Sequence, residues 1–281
     1  MLRISYIILF SLCLFIPGKA QDIHQMKKFS DEQFNRGNYQ LALKEYQRVI
    51  YFDKHGEYDE LYAKIASIHF LNSDYDNALK YYDFALRLEQ NDSIKYELVL
   101  KKALTNLKQK RYMAALNELF DLPDHPSEFL QDKKDLYLGI CYFGLNDMDD
   151  SQEHFSELFD STGIKKVDRL FSDFKDYKKK YRPRKVELMS MLLPGLGQIY
   201  TGEVFSGLNS FFLITGVTVY AVYTAVNYAL VDGLLVLSSW FYRYYTGGYT
   251  NASSFAIKKI ENERTNVYHE ILTCIENQEN Q

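Results

Sequence analysis

The chain has 281 residues, a formal net charge of −4 and 16% aromatic residues, including 24 Tyr and 19 Phe. Disordered chains contain few aromatic residues, so this composition predicts an ordered protein. The balanced charge gives no support for nucleic acid as a partner. Only five Pro occur, and long stretches lack both Pro and Gly, which favours an all-α fold.

The N-terminus has the three parts of an export signal, which predicts a signal peptide over residues 1–20. Arg3 provides a positive start, residues 4–16 are an apolar segment, and Ala20 is small enough to precede a signal peptidase site. Cleavage is therefore expected after Ala20. The apolar segment is too short to span a bilayer. An uncleaved anchor and lipidation of Cys13 are the alternatives.

One pattern occurs four times in the middle of the chain, and it predicts pairs of packed helices. A large residue is followed three positions later by a small one, and four positions after that by another large one. The small residues are Ala42, Ala78, Ala115 and Ser151, separated by 36, 37 and 36 residues. Residues three and four apart share one helix face, so each small side chain lets a second helix approach closely.

A second helix precedes each of these segments. Its small residue lies twelve positions before the small residue of the pattern, at Ala66, Ala103 and Gly139. Turn-forming residues such as Gly37 and Asn146 separate the paired helices. Two helices per repeat at this period are typical of a helical-hairpin solenoid. Ser30 occupies the corresponding position of the first repeat, which is expected to cap the stack.

The pattern resembles the tetratricopeptide repeat family over residues 22–160. It departs from that family in its period, which exceeds the usual ~34 residues, and in having Ser151 for Ala. The resemblance implies about four repeats within residues 21–160 and a groove that binds a protein or peptide. The family's groove positions correspond here to Phe34, Ala63, Phe70, Leu100, Leu107, Leu136 and Phe143. The alternative is that these side chains pack between repeats.

Residues 161–185 are predicted to form a capping helix and a basic linker. Apolar residues recur in this segment at helical spacing, namely Val167, Leu170, Phe171, Phe174 and Tyr177. A helix with such a stripe buries it against a neighbouring element. The linker at residues 178–185 is rich in Lys and Arg and leads into an apolar region.

The apolar region predicts a membrane-embedded helical hairpin within residues 186–249. Between Glu203 and Arg243, 39 residues carry one formal charge, that of Asp232. At ~1.5 Å per residue, this stretch is just long enough to cross a ~30 Å hydrocarbon core twice. The alternative is a pair of buried helices in a soluble core.

The two predicted membrane helices cover residues 204–223 and 229–245, with a turn near Asn227. Tyr and Trp residues gather towards their ends, as in the interfacial belt of membrane proteins. Small residues such as Gly207 offer surfaces for close helix contact. A polar helix and a short tail are expected over residues 250–281.

A glycine-rich motif opens the apolar region. It comprises Pro194, Gly195, Gly197, Tyr200 and Gly202, and Gly207 follows it. Over residues 186–250 the chain resembles small two-span bacterial membrane domains of uncharacterised function, which implies a location but no activity. The glycines predict a tight segment whose backbone approaches a neighbour closely. Asp232 is a candidate functional residue in a span, or else a residue of the headgroup zone.

Two rules of membrane topology disagree for this chain. A cleaved signal peptide places the repeats on the periplasmic side of the inner membrane. Lys and Arg residues on both sides of the hairpin instead predict that its ends face the cytoplasm. Because the signal has its three parts in order, we expect a periplasmic repeat domain in a bacterial cell envelope.

The sequence contains no pattern for an active site, a cofactor or a metal site. The six His are scattered, and Cys141 and Cys274 are far apart. The sequence therefore predicts a scaffold that is not an enzyme, that contacts the bilayer and a protein partner, and that is able to form homo-oligomers through the hairpin. The alternatives are a membrane-active assembly or insertion factor or small pore, and a soluble repeat protein.

Overall fold

The computed structural model describes residues 22–120, 122–124 and 127–279, and every regular element within these ranges is a helix. The all-α class is therefore confirmed. The predicted signal peptide over residues 1–20 lies outside the described residues. The chain divides into two compact units, which meet in sequence at Ser151 and Gln152.

The first unit, called the repeat unit, is built from helices that pair in chain order. They are α1 (Ile23–Asn35), α2 (Tyr39–Phe52), α3 (Glu60–Leu71), α4 (Tyr75–Leu88), α5 (Asp92–Lys108), α6 (Tyr112–Phe120), α7 (Glu128–Leu145) and the first part of α8 (Met148–Ser156), which continues beyond the boundary of the unit. Helix α1 packs on α2, α3 on α4 and α5 on α6, and α4–α5 and α6–α7 contacts join successive hairpins. The helical hairpins predicted from the repeats are thus present.

Close packing within the hairpins depends on the small residues of the repeat. Those that are fully buried include Ser30, Ala42, Ala66, Ala78, Ala103, Ala115 and Ser151. Where Ser replaces Ala, its hydroxyl has a partner. The Ser151 hydroxyl donates to the Gly139 carbonyl at 3.0 Å, and the Ser30 hydroxyl donates to the Met26 carbonyl at 2.7 Å. Both Ser residues therefore keep the small volume and satisfy their polar group.

Each hairpin closes with the same backbone turn. A residue in the left-handed region follows the first helix, with φ of +79° at Gly37, +60° at Ser73, +57° at Lys110 and +65° at Asn146. The next amide then donates to a carbonyl five residues earlier, as from Asn38 to Gln33 at 2.9 Å. This Schellman arrangement satisfies carbonyls at the helix end. The turns follow the same period as the buried small residues.

A polar cluster joins the first two hairpins. The buried Tyr46 donates its hydroxyl to Asp31 Oδ1 at 2.6 Å, and Lys64 Nζ donates to the same oxygen at 2.5 Å. Burial raises the pKa of Tyr46, and Asp31 adds to this rise. Burial alone would also raise the pKa of Asp31, but the hydrogen bonds from Lys64 and Tyr46 outweigh it and lower that pKa. The Asp31 carboxylate therefore stays charged and links α1, α2 and α3.

The second unit, called the glycine unit, is organised around its last helix. It contains α9 (Ser161–Lys180), α10 (Pro183–Leu192), α11 (Leu196–Thr201), α12 (Val204–Asn227), α13 (Leu230–Val236), a π-helical turn (Leu237–Phe241) and α14 (Tyr242–Glu279). Helices α9, α10, α11 and α12 all contact α14. The predicted stripe of α9 is largely buried, with Val167, Phe171 and Phe174 inside.

The apolar region forms a helical hairpin, of which one helix meets the criteria for a membrane span. Helix α12 ends at Asn227, at the predicted turn. Helix α13 packs back on it so closely that a Cβ on Gly233 would lie 2.6 Å from Ala225 Cβ. Within the described residues, α12 alone is long and apolar enough to cross a bilayer, with a mean hydropathy of 1.5. This is weak support for membrane association, and a two-span membrane hairpin remains a prediction.

The second arm of the hairpin differs from the helix predicted over residues 229–245. Helix α13, the π-helical turn and α14 follow one another without a gap, so one helical run extends from Leu230 to Glu279. In the π-helical turn, the Tyr242 amide donates to the Leu237 carbonyl five residues earlier, one residue more than in an α-helix. No Pro follows, so nothing stops the helix between its apolar and polar parts.

Replacing Lys110 by Gly should stabilise the repeat unit. Lys110 holds a φ of +57°, a conformation that costs roughly 1–2 kcal/mol for a residue with a side chain and that favours Gly at this helix end. We expect the Lys110→Gly variant to gain about 1 kcal/mol in free energy of unfolding, measured by urea denaturation followed by circular dichroism.

The matched control for this variant is Lys101→Gly, which places the same exchange at an exposed Lys in the middle of α5. It should lose about 1 kcal/mol, because Gly is unfavourable in a helix interior. If Lys110→Gly were no more stable than the natural protein, the hairpin turn would not carry the backbone strain inferred from its φ.

Candidate functional site

Two of the predicted groove residues close their own hairpins. The Phe34 ring lies 5.6 Å from that of Tyr39, and the Phe70 ring lies 5.8 Å from that of Tyr75, both edge to face. Each Tyr begins the second helix of the hairpin whose first helix carries the Phe. Aromatic pairs in this geometry contribute about 1 kcal/mol beyond their burial. These contacts serve the packing of the repeat.

The other predicted groove residues also lie within the packing of the repeat unit. Leu100 and Phe143 are buried, Leu107 lies against the cluster formed by α5, α6 and α7, and Ala63 lies against the cluster around α4. Leu136 is half-buried. None of the predicted groove residues is fully exposed. Their role in binding a partner stays a prediction, and packing alone explains why they are apolar.

Another set of apolar side chains in the repeat unit is exposed. Tyr51, Phe120 and Phe129 are 82%, 75% and 65% exposed. They lie next to the connections between hairpins, at the end of α2, the end of α6 and the start of α7. These connections lie at the opposite ends of the helices from the hairpin turns, so the three residues belong to one edge, called the loop edge. Exposed aromatic residues are typical anchors of protein interfaces.

The glycines of the motif permit a contact between backbones in the glycine unit. Pro194 follows the end of α10. Gly195 has a φ of +89°, and a Cβ there would collide with the carbonyl oxygen of Gly207. A Cβ on Gly207 would lie 2.5 Å from Ile199 Cγ1 and 2.6 Å from the Gly195 carbonyl oxygen. The start of α12 therefore touches the segment before α11 directly, and we call this contact the glycine joint.

A buried hydrogen-bond network ties the glycine joint to α10 and α14. The Gln198 side chain accepts from the Ser190 hydroxyl at 2.8 Å and donates to the Gly248 carbonyl at 2.8 Å. The Gly197 amide donates to the Ser190 hydroxyl at 2.9 Å. A Cβ on Gly197 would collide with the Val186 carbonyl. Gln198 and Ser190 were not predicted as site residues, because a lone Gln or Ser carries no motif signal.

Tyr200 and Gly202 place the end of α11 next to basic residues. The Tyr200 hydroxyl donates to the Lys180 carbonyl at 3.1 Å. Gly202 has a φ of +96° and ends α11. Beside it, Lys259 Nζ donates to the Thr201 carbonyl at 3.0 Å. Part of the basic charge around the motif therefore holds the glycine unit together.

Asp232 is exposed in the first turn of α13. A carboxylate in the first turn of a helix interacts favourably with the helix dipole. Within the described residues its side chain has no ion-pair partner. This position next to the turn of the hairpin suits a residue of the headgroup zone.

The described part of the chain contains no group of three His, Cys, Asp or Glu side chains that could hold a metal ion. Cys141 and Cys274 are free and buried, and burial raises the pKa of the Cys141 thiol to about 12. A thiol with this pKa is protonated at neutral pH and is a poor nucleophile.

Comparisons with protein-family models and with curated proteins found no match to this chain. The helical hairpins are compatible with tetratricopeptide-like repeats, and the glycine joint is a local arrangement with no family attached to it. The function is therefore inferred from two exposed apolar surfaces of the described residues, the loop edge and the apolar hairpin.

Replacing Gly195 by Ala should disrupt the glycine joint. The new Cβ would meet the Gly207 carbonyl at a backbone with a φ of +89°, so both strain and collision oppose it. We expect a loss of more than about 2 kcal/mol in free energy of unfolding. The measurement is the thermal denaturation of the full-length protein in a mild detergent.

The matched control is Gly216→Ala in the same unit. A Cβ on Gly216 would have no neighbour within 4 Å, and Ala favours a helix more than Gly does. This variant should melt no earlier than the natural protein. If Gly195→Ala and Gly216→Ala had the same melting temperature, the backbone contact at the glycine joint would not contribute to stability.

Proposed function

We propose that this chain is a membrane-anchored scaffold of a bacterial cell envelope that binds a protein partner through the loop edge of its repeat unit. In this proposal the apolar hairpin enters the inner membrane and the repeats lie on its periplasmic side. The observation that carries the proposal is the large apolar surface of the hairpin, which the rest of the glycine unit leaves uncovered.

The surface of α12 supports an anchor in the bilayer. Only 22% of its most apolar window is buried. Phe205, Phe212 and Val219 are 90%, 66% and 63% exposed. A core helix of a soluble protein would bury such side chains, and large apolar patches rarely face water. A bilayer covers them without any further protein contact.

The second arm has the same kind of surface. Leu230, Val231 and Leu235 are exposed along α13. Towards the polar end of this arm lie Trp240 and Tyr242, which are exposed as well. Trp and Tyr favour the boundary between hydrocarbon and headgroups. The arm therefore suits a span whose far end emerges at that boundary.

The export signal predicted from the sequence supports a periplasmic repeat unit. Residues 4–16 precede the repeats and have the length and apolarity of a signal segment. With this orientation, the basic residues 178–185 would lie at the periplasmic surface of the inner membrane. There they would be attracted by anionic headgroups, which offers a reason for their position despite the positive-inside rule.

Carbonate extraction of membranes tests the anchor. We expect the natural protein to stay in the pellet and the Phe212→Lys/Val219→Lys variant to be largely extracted. Each Lys near the centre of a span costs about 2.5–3.5 kcal/mol of insertion free energy. In spheroplasts, protease added from outside should digest the repeat unit.

The control for extraction is Phe120→Lys/Phe129→Lys, which also places two Lys at exposed aromatic positions, but in the repeat unit. This variant should remain in the membrane pellet. Release of the natural protein by carbonate would refute the anchor. Protection of the repeats in spheroplasts would refute the periplasmic orientation and leave the anchor standing.

The loop edge supports a protein partner. Its aromatic side chains are large, exposed and adjacent to hairpin connections, and such residues dominate the binding energy of protein interfaces. Lys133 Nζ lies 3.9 Å from the centroid of the Phe129 ring, so a cation borders the apolar surface. An apolar centre with a charged rim is the usual composition of a specific interface.

Photo-crosslinking in intact cells tests the loop edge. A photoreactive amino acid at Tyr51, Phe120 or Phe129 should yield one common crosslinked protein. The same amino acid at Leu41 or Met113, which are exposed near the hairpin turns, should yield at least about tenfold less of that product. Equal crosslinking at both edges would contradict a partner site at the loop edge.

A further inference from the structure

A cleft runs between α12 and the second arm, and it changes from polar to apolar along its length. Near the start of α12 it forms a pocket of about 220 Å³, whose lining includes Asn209 and Arg243. Further along it forms a pocket of about 500 Å³, whose lining includes Gly216 and Trp240. Leu213 lines both pockets, so they adjoin as two halves of one cleft.

The polar half of the cleft has the composition of an anion site. Arg243 lines it together with the amide side chains of Asn209, Asn251 and Gln198, and no acidic residue lines it. Gln198 is already paired with Ser190 and Gly248. The side chains of Arg243, Asn209 and Asn251 have no hydrogen-bond or ion-pair partner within the described part of the chain. A guanidinium with neighbouring amide donors is well suited to a phosphate group. This half therefore has donors available and a positive charge that nothing compensates.

The apolar half of the cleft is open. A Cβ on Gly216 would have no neighbour within 4 Å. At the polar end, in contrast, a Cβ on Gly248 would lie 2.7 Å from the Ser210 hydroxyl oxygen. The two sides therefore touch at the polar end and separate towards Trp240, which belongs to the π-helical turn. Such turns are rare and occur frequently at functional sites.

We propose that this cleft binds a phospholipid with an anionic headgroup, whose phosphate lies at Arg243 and one of whose acyl chains lies along Gly216 and Trp240. This inference rests on the proposed membrane anchor. From Ser206 to Tyr220, α12 rises about 21 Å, which exceeds half of a ~30 Å hydrocarbon core. A ligand along the cleft therefore extends from the headgroup zone into the acyl zone.

A polar half followed by an apolar half favours a phospholipid over other ligands of the cleft. A soluble phosphate would use the polar half only and would leave the apolar half empty. A second copy of the hairpin would fill the apolar half and would leave Arg243 without a counter-charge. A phospholipid satisfies both halves, and it does so in the orientation that the bilayer imposes on it, because Arg243 lies at the polar end of the apolar arm.

Native mass spectrometry of the full-length, delipidated protein in a mild detergent tests the proposal. The probes are phosphatidylglycerol, phosphatidylcholine and glycerol phosphate, the last being the headgroup without acyl chains. We expect one phosphatidylglycerol per chain, bound about tenfold more tightly than phosphatidylcholine, and no bound glycerol phosphate. Arg243→Gln should weaken the binding of phosphatidylglycerol about tenfold. Gly216→Leu, which fills the apolar half, should weaken the binding of both lipids.

The matched control is Lys258→Gln, which removes the same charge from an exposed position of α14 outside the cleft. It should leave the affinity for phosphatidylglycerol unchanged within about twofold. Equal weakening by Lys258→Gln and Arg243→Gln would overturn the proposal in favour of general attraction by basic residues. Binding of glycerol phosphate as tight as that of the lipid would assign the site to a soluble anion.

Three further outcomes distinguish the lipid site from a dimer interface and from the membrane anchor. A dimer without lipid that Gly216→Leu dissociates would assign the cleft to a second copy of the chain and overturn the lipid site. A natural protein that resists carbonate extraction yet binds no phosphatidylglycerol would also overturn the lipid site and leave the anchor intact. A protein that carbonate releases but that binds the lipid one-to-one would support the site and refute the anchor.

Discussion

Close contact between helices, permitted where a side chain is small or absent, is the constraint on which both units depend. In the repeat unit, Ala42, Ala78 and Ala115 are fully buried. In the glycine unit the contact involves the backbone itself, at Gly195 and Gly207. Protein interiors are close-packed and adapt poorly to added volume. Larger residues at these positions would separate the elements and remove the contacts of everything packed around them.

The repeat unit was predictable because two independent signals share one period. Small residues determine where the two helices of a hairpin touch, and turn residues determine where the hairpin closes. Each signal alone would therefore predict the same register for the two helices. The left-handed turns at Ser73 and Lys110 could not be anticipated in the same way, since neither residue type favours that conformation. The binding role of Phe70 or Leu100 was equally hidden, because a residue that packs inside a repeat and one that binds a peptide are both apolar.

The glycine unit was predictable in its motif and less so in its contacts. Glycines at fixed spacing signal a close backbone approach, and that approach is present. The partners of Gln198 lie on α10 and α14, and the residue that faces Asn209 and Leu213 in the cleft is Arg243. Such pairings depend on how distant segments fold together, which no local pattern encodes. The second arm was misjudged because its apolar stretch ends before its helix does.

The π-helical turn at Leu237–Phe241 sets the rotation of α13 relative to α14 about their common helix axis. It holds one residue more than α-helical bonding would, and one residue corresponds to about 100° around a helix axis. Without that residue, Gly248 would face away from Gln198 while α13 kept its place against α12. The extra residue therefore lets α13 and α14 each direct its own face to its own surroundings, although the two helices are continuous. The residues of α13 can then be selected for contact with an apolar environment, and those of α14 for contact with the rest of the protein.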